Sequence, residues 1–326
     1  MNPTALVQEI INAYQGRTPL MVKGPPGVGK SDAFRQACQT MGISLLDIRL
    51  SQWDPADLRG IPYRDETGTH WSIPAVLPRD GAGIILFDEF MDAVPLMRAA
   101  SLQMIWDRRL DQYVMPDGWV AMAAGNRAED RAAASRMKTQ EMSRFDHVTV
   151  DVDQSTWIAW AFERQIDPRV IGFIKYRPEL LHSFDPRAIV DTFPCPRTWE
   201  KISRYLTGPH VKETRVERIQ GIVGEGAGIE FAAFLNQAED LPDPEDVLRA
   251  PDAAPVPTAP DALYALCTAL AARVAKETVK PFLQYSQRVP SEYSVLMVED
   301  GRRAFPDLIK SQYFVRWAAD HQELFQ

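Results

Sequence analysis

Apolar residues recur at helical spacing at Leu6, Ile10, Ile11 and Tyr14, and Gly16 then offers a stop. Beyond it short apolar runs alternate with helical stretches. "PLMV" (Pro19–Val22) predicts a strand, "SDAFRQACQTM" a helix ended by Gly42, and "LLDIRL" a second strand. "GIILFDE" (Gly83–Glu89) is a fully apolar strand that ends in two acids, and Pro95 suits the first position of a helix running through Trp106. "WVAMAAG" and "HVTVDV" complete five strands. Continuous apolar strands separated by helices predict an α/β fold, a parallel five-stranded sheet covered on both faces.

After about Asp153 the pattern turns helical. "STWIAWAFERQI", "PRVIGFIKY", "PRTWEKISRYL" and "IEFAAFLNQAE" are separated by Asp-Pro and Pro-Arg breaks, with no strand run of comparable strength. The division expected is an α/β core over 1–152, a helical domain over 153–248, a Pro-rich extended connector over 249–261 ("RAPDAAPVPTAPD" in the main), and a last helical segment over 262–326 broken at Pro281, Pro290 and Pro306. No internal repeat is present.

Length and composition agree with this layout. The chain has 326 residues, enough for one large domain and a smaller one, and its 45% hydrophobic and 25% charged content is that of a globular protein. A formal net charge of -8 argues against general binding of DNA or RNA, because phosphate binding needs a basic footprint. Cys38, Cys195 and Cys267 stand apart, without a C-x-x-C pair or a zinc pattern, and fit a reducing compartment. The N-terminal residues lack a signal-peptide pattern and no apolar run is long enough for a bilayer, so a cytoplasmic protein without membrane partners is expected.

Chemistry enters at "GPPGVGKS", Gly24, Pro25, Pro26, Gly27, Val28, Gly29, Lys30 and Ser31. It fits G-x-x-x-x-G-K-[ST] between a predicted strand and a predicted helix. Glycines let backbone N–H groups turn toward phosphate oxygens, Lys30 reaches the terminal phosphates, and Ser31 ligates magnesium. "GEGAG" (Gly224–Gly228) follows a helix and lacks Lys-Ser, so it reads as a helix–helix turn. Asp88 and Glu89 end a buried strand, at the sheet edge where ligands bind in open α/β folds. Asp88 can hold the magnesium shell and Glu89 can polarise the attacking water. Asn126 ends the next apolar strand and can hydrogen-bond both that water and the γ-phosphate.

With these residues in place, the stretch from about Leu20 to Trp199 resembles AAA+ ATPases, specifically the MoxR-type branch. Gly24–Ser31 resembles the Walker A motif, Asp88–Glu89 the Walker B motif, and Asn126 stands at the sensor 1 position. "GNRAEDRAAASRMKTQEMSRF" resembles the family stretch that closes on Asp-Arg-Phe, with Arg127 in place of a proline and Ser143 in place of the aspartate. "CPRTWEKIS" resembles the sensor 2 segment and maps that arginine onto Arg197.

The resemblance implies a Mg2+-dependent ATPase with an α-helical lid, assembled as a homo-oligomeric ring, most often a hexamer, that remodels a protein substrate. It implies a trans-acting arginine finger at Arg144, with Arg136 as the alternative, reaching a neighbour's γ-phosphate. The other reading of those cations is a solvated face paired with Glu129, Asp130 and Glu141. Two insertions, Leu58–Pro74 and Arg108–Trp119, would line the pore side, with Tyr63, Trp71 and Tyr113 either touching substrate or packing the insertions themselves. A von Willebrand A domain protein is the partner the branch implies. "DQSTW" at Asp153 holds only half of such a D-x-S-x-S metal site, which puts any such domain on another chain. The alternatives are a nucleic-acid-translocating motor, against which the net charge counts, and a non-hydrolysing nucleotide switch, against which Glu89 and Asn126 count. A small-molecule kinase is weaker, having no use for the sensor and finger pattern.

Overall fold

Asn2 starts the first helix: its Oδ1 accepts the amide of Ala5 at 2.8 Å, and Pro3 stands where no N–H is needed. A computed structural model describes residues 1–130, 139–188, 190–208 and 215–321. In chain order the first half runs α1 (Pro3–Gly16), β1 (Leu20–Lys23), α2 (Lys30–Met41), β2 (Ser44–Arg49), α3 (Pro55–Arg59), β3 (Pro62–Asp65), β4 (Gly68–Trp71), β5 (Gly83–Asp88), α4 (Pro95–Asp107), β6 (Arg109–Leu110), β7 (Tyr113–Val114), β8 (Trp119–Gly125), α5 (Thr139–Met142) and β9 (Asp146–Thr149). Gly42 takes the left-handed cap of α2 as expected, whereas α1 includes Gly16 and hands the left-handed position to Arg17.

The sheet has five parallel strands in the order β2-β5-β8-β1-β9, the α/β class expected. Every residue of β5 and β8 is buried, which is why both read as unbroken apolar runs. The two-residue period divides them between two layers. Ile84, Leu86, Val120 and Met122 join Leu6, Ile10 and Phe34 on the side of α1 and α2. Ile85, Phe87 and Ala121 join Met97, Leu102 and Met104 of α4 on the other. The chain leaves β1 for the far edge at β2, returns through β5 and β8, and finishes on β1's other flank at β9. The strand order therefore reverses around β1, and ligand crevices form at the carboxyl ends beside such a point.

The rest of the chain is helical: α6 (Gln154–Glu163), α7 (Pro168–Tyr176), α8 (Pro196–Thr207), α9 (Arg215–Val223), α10 (Glu225–Glu239), α11 (Pro244–Arg249), α12 (Pro260–Ala271), α13 (Val279–Ser286), α14 (Ser291–Ala304) and α15 (Gln312–Asp320). The chain divides into two compact units, Met1–Asp153 with Asp185–Ala188, and Gln154–Phe184 with Ile189–Gln326. Segments 249–261 and 262–326 thus belong to one body. Arg288 donates to the carbonyls of Pro251 and Ala254, and Tyr285 Oη donates to Pro255 O at 2.8 Å, so the Pro-rich stretch is clipped onto α13. In the same unit Phe173 meets Phe231 at 5.0 Å and Trp199 at 5.4 Å between ring centroids. In "GEGAG" the helix–helix turn is Gly224 alone, with φ +89°, and Glu225–Gly228 already form the first turn of α10, where a Cβ on Gly228 would lie 2.7 Å from Gln220 Cα. No described helix is long and apolar enough to cross a membrane. All three cysteines are buried, and burial pushes the thiols of Cys38 and Cys267 up to about 11 and about 12.

One ionic group sits inside the helical unit. Lys175 of α7 pairs with Asp300 of α14, their side chains 6% and 1% exposed, and Arg303 adds a contact at 3.0 Å to the other carboxylate oxygen. Burial drives Asp300 up and Lys175 down from their ordinary values, against their mutual attraction. Replacing Asp300 by Ala leaves the buried Lys175 uncompensated and is expected to destabilise this unit by about 3–5 kcal/mol. Lys175→Met is expected to cost clearly less, because Arg303 still faces Asp300. Urea unfolding of both variants checks the order, and a larger loss in Lys175→Met would refute it.

Candidate functional site

β1 ends at Lys23, and the loop from Gly24 to Gly29 turns the chain into α2. Gly24 is required by crowding: a Cβ would stand 2.6 Å from Val150 Cγ1 and 2.8 Å from Val150 O. Gly27 and Gly29 are required by backbone, with φ of +77° and +95°. A Cβ on Gly29 would meet nothing within 4 Å, so the loop is open on that side.

Lys30, the first residue of α2, is only 9% exposed. Its Nζ donates to Gly24 O, Pro25 O and Asn126 Oδ1, each at 2.9 Å. The next residue, Ser31, donates from Oγ to Asp88 Oδ2 at 2.6 Å. Two bonds thus tie the start of α2 to the ends of β5 and β8. Parallel register makes this possible: Leu86 stands opposite Met122 and Phe87 opposite Ala123, so the two strands end at nearly one level. The loop, Lys30, Ser31, Asp88 and Asn126 converge, as the sequence pattern anticipates.

Glu89 follows with φ +54°, a left-handed conformation that costs a non-glycine residue of order 1 kcal/mol. Its amide donates to Asp88 Oδ1 at 2.8 Å, and the amide of Phe90 continues to Ala124 O at 3.0 Å. The kink turns Glu89 out of the strand direction, and its carboxylate accepts a hydrogen bond from Ser51 Oγ. Ser51 is a residue that the motif search misses. It lies in a short 3-10 turn, Leu50–Gln52, directly after β2, and the pairing of Arg49 with Asp88 carries that turn alongside Glu89. Asp47 of β2 is also missed. One of its oxygens is buried without a hydrogen bond, and its carboxyl is raised by burial first and by Asp88 next. The signal for both was available only from strand pairing.

The arginines separate by partner. Arg127 is held by Asp130 at 2.8 Å and Glu129 at 3.2 Å in its own loop, and by Asp151 beyond β9 at 3.2 Å. Arg144, half-buried just before β9, has no carboxylate partner among the described residues. Arg131, Arg136 and Lys138 lie outside the described residues. Arg197 is exposed in the first turn of α8, in the second unit, and likewise has no ion pair among the described residues. In the insertions, β3 and β4 form an exposed hairpin with Tyr63 52% exposed and Trp71 half-buried. Of its two readings Tyr113 takes the packing one: it is 4% exposed, joins the buried apolar core on the α4 side, and donates its hydroxyl to Pro78 O at 2.9 Å.

The donor set fits a magnesium nucleotide. Ser31 and Asp88 offer one hydroxyl and one carboxylate, and no cluster of three or more His, Cys, Asp or Glu side chains fit for a metal occurs among the described residues. That is the sparse protein shell suited to Mg2+, which keeps several waters and takes further oxygens from phosphates. The loop's crowded face at Gly24 and open face at Gly29 suit a phosphate approaching the backbone from one side.

No family model matches the sequence, and no curated protein matches it. Among solved structures, a "putative ATPase" from Cytophaga hutchinsonii aligns over 92% of this chain and 79% of its own, with 12% identity and a TM-score of 0.37. NtrX from Brucella abortus in complex with ADP aligns over 98% of this chain and 67% of its own, with 14% identity and a TM-score of 0.40. The NtrX complex with ATP gives 99%, 67%, 12% and 0.40. At such scores the likeness carries no argument about activity, which rests on the residues above.

Proposed function

We propose that the protein is a Mg-ATP hydrolase of the AAA+ type, close in organisation to the MoxR branch, that works as a homo-oligomeric ring, hexameric in the simplest case, and remodels a protein partner. The observation that carries the ATPase reading is the pair of bonds Lys30–Asn126 and Ser31–Asp88, which joins the loop, the acidic strand end and the asparagine into one site. Lys30 would exchange its loop carbonyls for the terminal phosphates, and Ser31 and Asp88 would hold the metal. Magnesium held there would neutralise phosphate charge. Glu89 would polarise the attacking water once released from Ser51, and Asn126 would orient it. The hydroxyl–carboxylate bond makes Ser51 a brake on hydrolysis rather than on binding.

The ring and the trans role of Arg144 rest on a narrower base, the resemblance together with Arg144's lack of a carboxylate partner among the described residues. Arg197 is proposed to sense the nucleotide from the helical unit. The protein substrate, with a von Willebrand A domain protein as the partner the branch suggests, and a cytoplasmic location complete the reading. A nucleic-acid motor stays second, since the net charge of -8 offers no general footprint for polyanions.

Lys30→Ala should abolish nucleotide-dependent stabilisation. Mg-ATP at roughly 100 times its Kd should stabilise the natural protein by about 2.7 kcal/mol. An equal thermal shift in the variant would remove the loop from nucleotide binding.

Separating binding from chemistry, Glu89→Gln should bind ATP and lose turnover by about 100-fold or more. Ser51→Ala should bind ATP equally and hydrolyse it no more slowly than the natural protein. Phosphate release and fluorescent-nucleotide binding measured on the same preparations check both, and loss of turnover in Ser51→Ala would show that the hydroxyl assists the chemistry instead of holding it back.

For the finger, Arg144→Ala should bind ATP nearly normally and lose about a thousandfold in rate. Mixing it with Lys30→Ala subunits should restore part of the activity, because an intact loop then meets an intact arginine. A flat activity profile against mixing ratio, in rings shown by sizing to be mixed and whole, would remove Arg144 from this role and leave Arg136 to be tested.

A further inference from the structure

In the helical unit, α8 and α9 present matched faces to one cavity of about 500 Å³. Lys201, Arg204 and Tyr205 come from α8, and Arg218, Gly221 and Ile222 from α9. Both sets are spaced i, i+3, i+4, so each is one helix face. The three cations are exposed, while Tyr205 and Ile222 are half-buried between them. No aspartate or glutamate lines the cavity among the described residues. Arg204 shares one guanidinium nitrogen with Glu200 of its own helix at 2.5 Å, an exposed i,i+4 pair that a ligand displaces at little cost.

Gly221 adds an independent feature. It is helical, its φ is ordinary, and a Cβ there would meet no atom within 4 Å. A side chain at this position would have room, so its absence keeps the cavity open without being needed for helix packing. Gly228 on α10 is the opposite case, crowded by Gln220.

From this geometry we infer that the cavity is a docking site for an acidic peptide segment of a protein partner, with carboxylates on the three cations and an apolar side chain against Tyr205 and Ile222. Two guanidiniums match carboxylates in a bidentate manner. The apolar wall selects a peptide over inorganic phosphate or a phosphorylated metabolite, which would use the cations and leave that wall wet. Nucleic acid is disfavoured by extent. A polyanion would run past this one basic spot onto a chain of net charge -8, whereas a short peptide stays within about one Debye length, ~8–10 Å, of the cations. This inference is independent of the ATPase reading.

The test uses the full chain and a fluorescein-labelled peptide, acetyl-Glu-Glu-Leu-Glu-Glu-amide, followed by anisotropy at low and physiological salt. Saturable, salt-weakened binding is expected, with the Gln-Gln-Leu-Gln-Gln version at least about tenfold weaker, as loss of charge-assisted contacts implies. Lys201→Glu with Arg218→Glu should remove peptide binding. Gly221→Leu should also reduce it about tenfold or more by filling the cavity with every cation intact. Thermal unfolding of each variant separates a lost site from a lost fold, since the charge reversals sit at exposed positions and Gly221→Leu replaces a poor helix former and should not lower stability. Binding that ignores Gly221→Leu, or no saturable binding, overturns the proposal. So does tighter, equally variant-sensitive binding of pyrophosphate or of a single-stranded oligonucleotide, which would reassign the cavity to phosphate.

Discussion

A buried ammonium ion must be met by oxygens, and at Lys30 that demand organises the carboxyl end of the sheet. Withdrawing a charge from water is unfavourable unless hydrogen bonds replace the lost hydration. Lys30 finds two of them in its own loop and a third in the asparagine at the end of β8. The third bond couples a local turn to a strand nearly a hundred residues away. Parallel pairing of β5 with β8 then decides that Asp88 arrives at the same level, where Ser31 receives it. The site follows from one helix start being tied to two strand ends, and the buried strands keep those ends from sliding.

The core and the central chemistry were legible in the sequence because they depend on period and on short-range spacing. Each of the five strand runs became a strand of the sheet, and Gly83–Asp88 and Trp119–Gly125 match their apolar runs closely because both faces of each strand are covered. The loop motif was legible because glycine is demanded there twice, by crowding at Gly24 and by positive φ at Gly27 and Gly29. What escaped depends on contacts between distant segments. Ser51 and Asp47 carry no motif and gain meaning only when β2 is laid against β5. For Tyr113 the choice between touching substrate and packing needed the contact of its hydroxyl with Pro78, 35 residues earlier. The carboxylates around Arg127 include Asp151, which the sequence alone does not bring near it. The Pro-rich composition of 249–261 concealed an anchored strap, because its anchors, Tyr285 and Arg288, come thirty residues later.

Both units are packed by apolar cores, and they differ in how buried charge is met. In the α/β unit, apolar layers on both faces of the sheet do the packing, and polar side chains gather at the strand ends. The helical unit has an apolar core of its own and adds a nearly fully buried ion pair, Lys175 with Asp300. Apolar packing tolerates small displacements, whereas a buried ion pair does not, since a shift of either partner exposes an uncompensated charge. Lys175 and Asp300 link α7 to α14 at one buried point.

The buried thiols leave the molecule chemically quiet. Only a thiolate attacks a maleimide, and burial both raises the Cys38 and Cys267 thiols and closes them off from reagent. Cys195 is also buried, packed at the start of α8 beneath the hydroxyl of Thr198. A single cysteine placed on an exposed surface would therefore take a dye or a spin label almost alone. The chain as it stands is a ready scaffold for optical rulers and site-directed crosslinks, with no native cysteine to be engineered away.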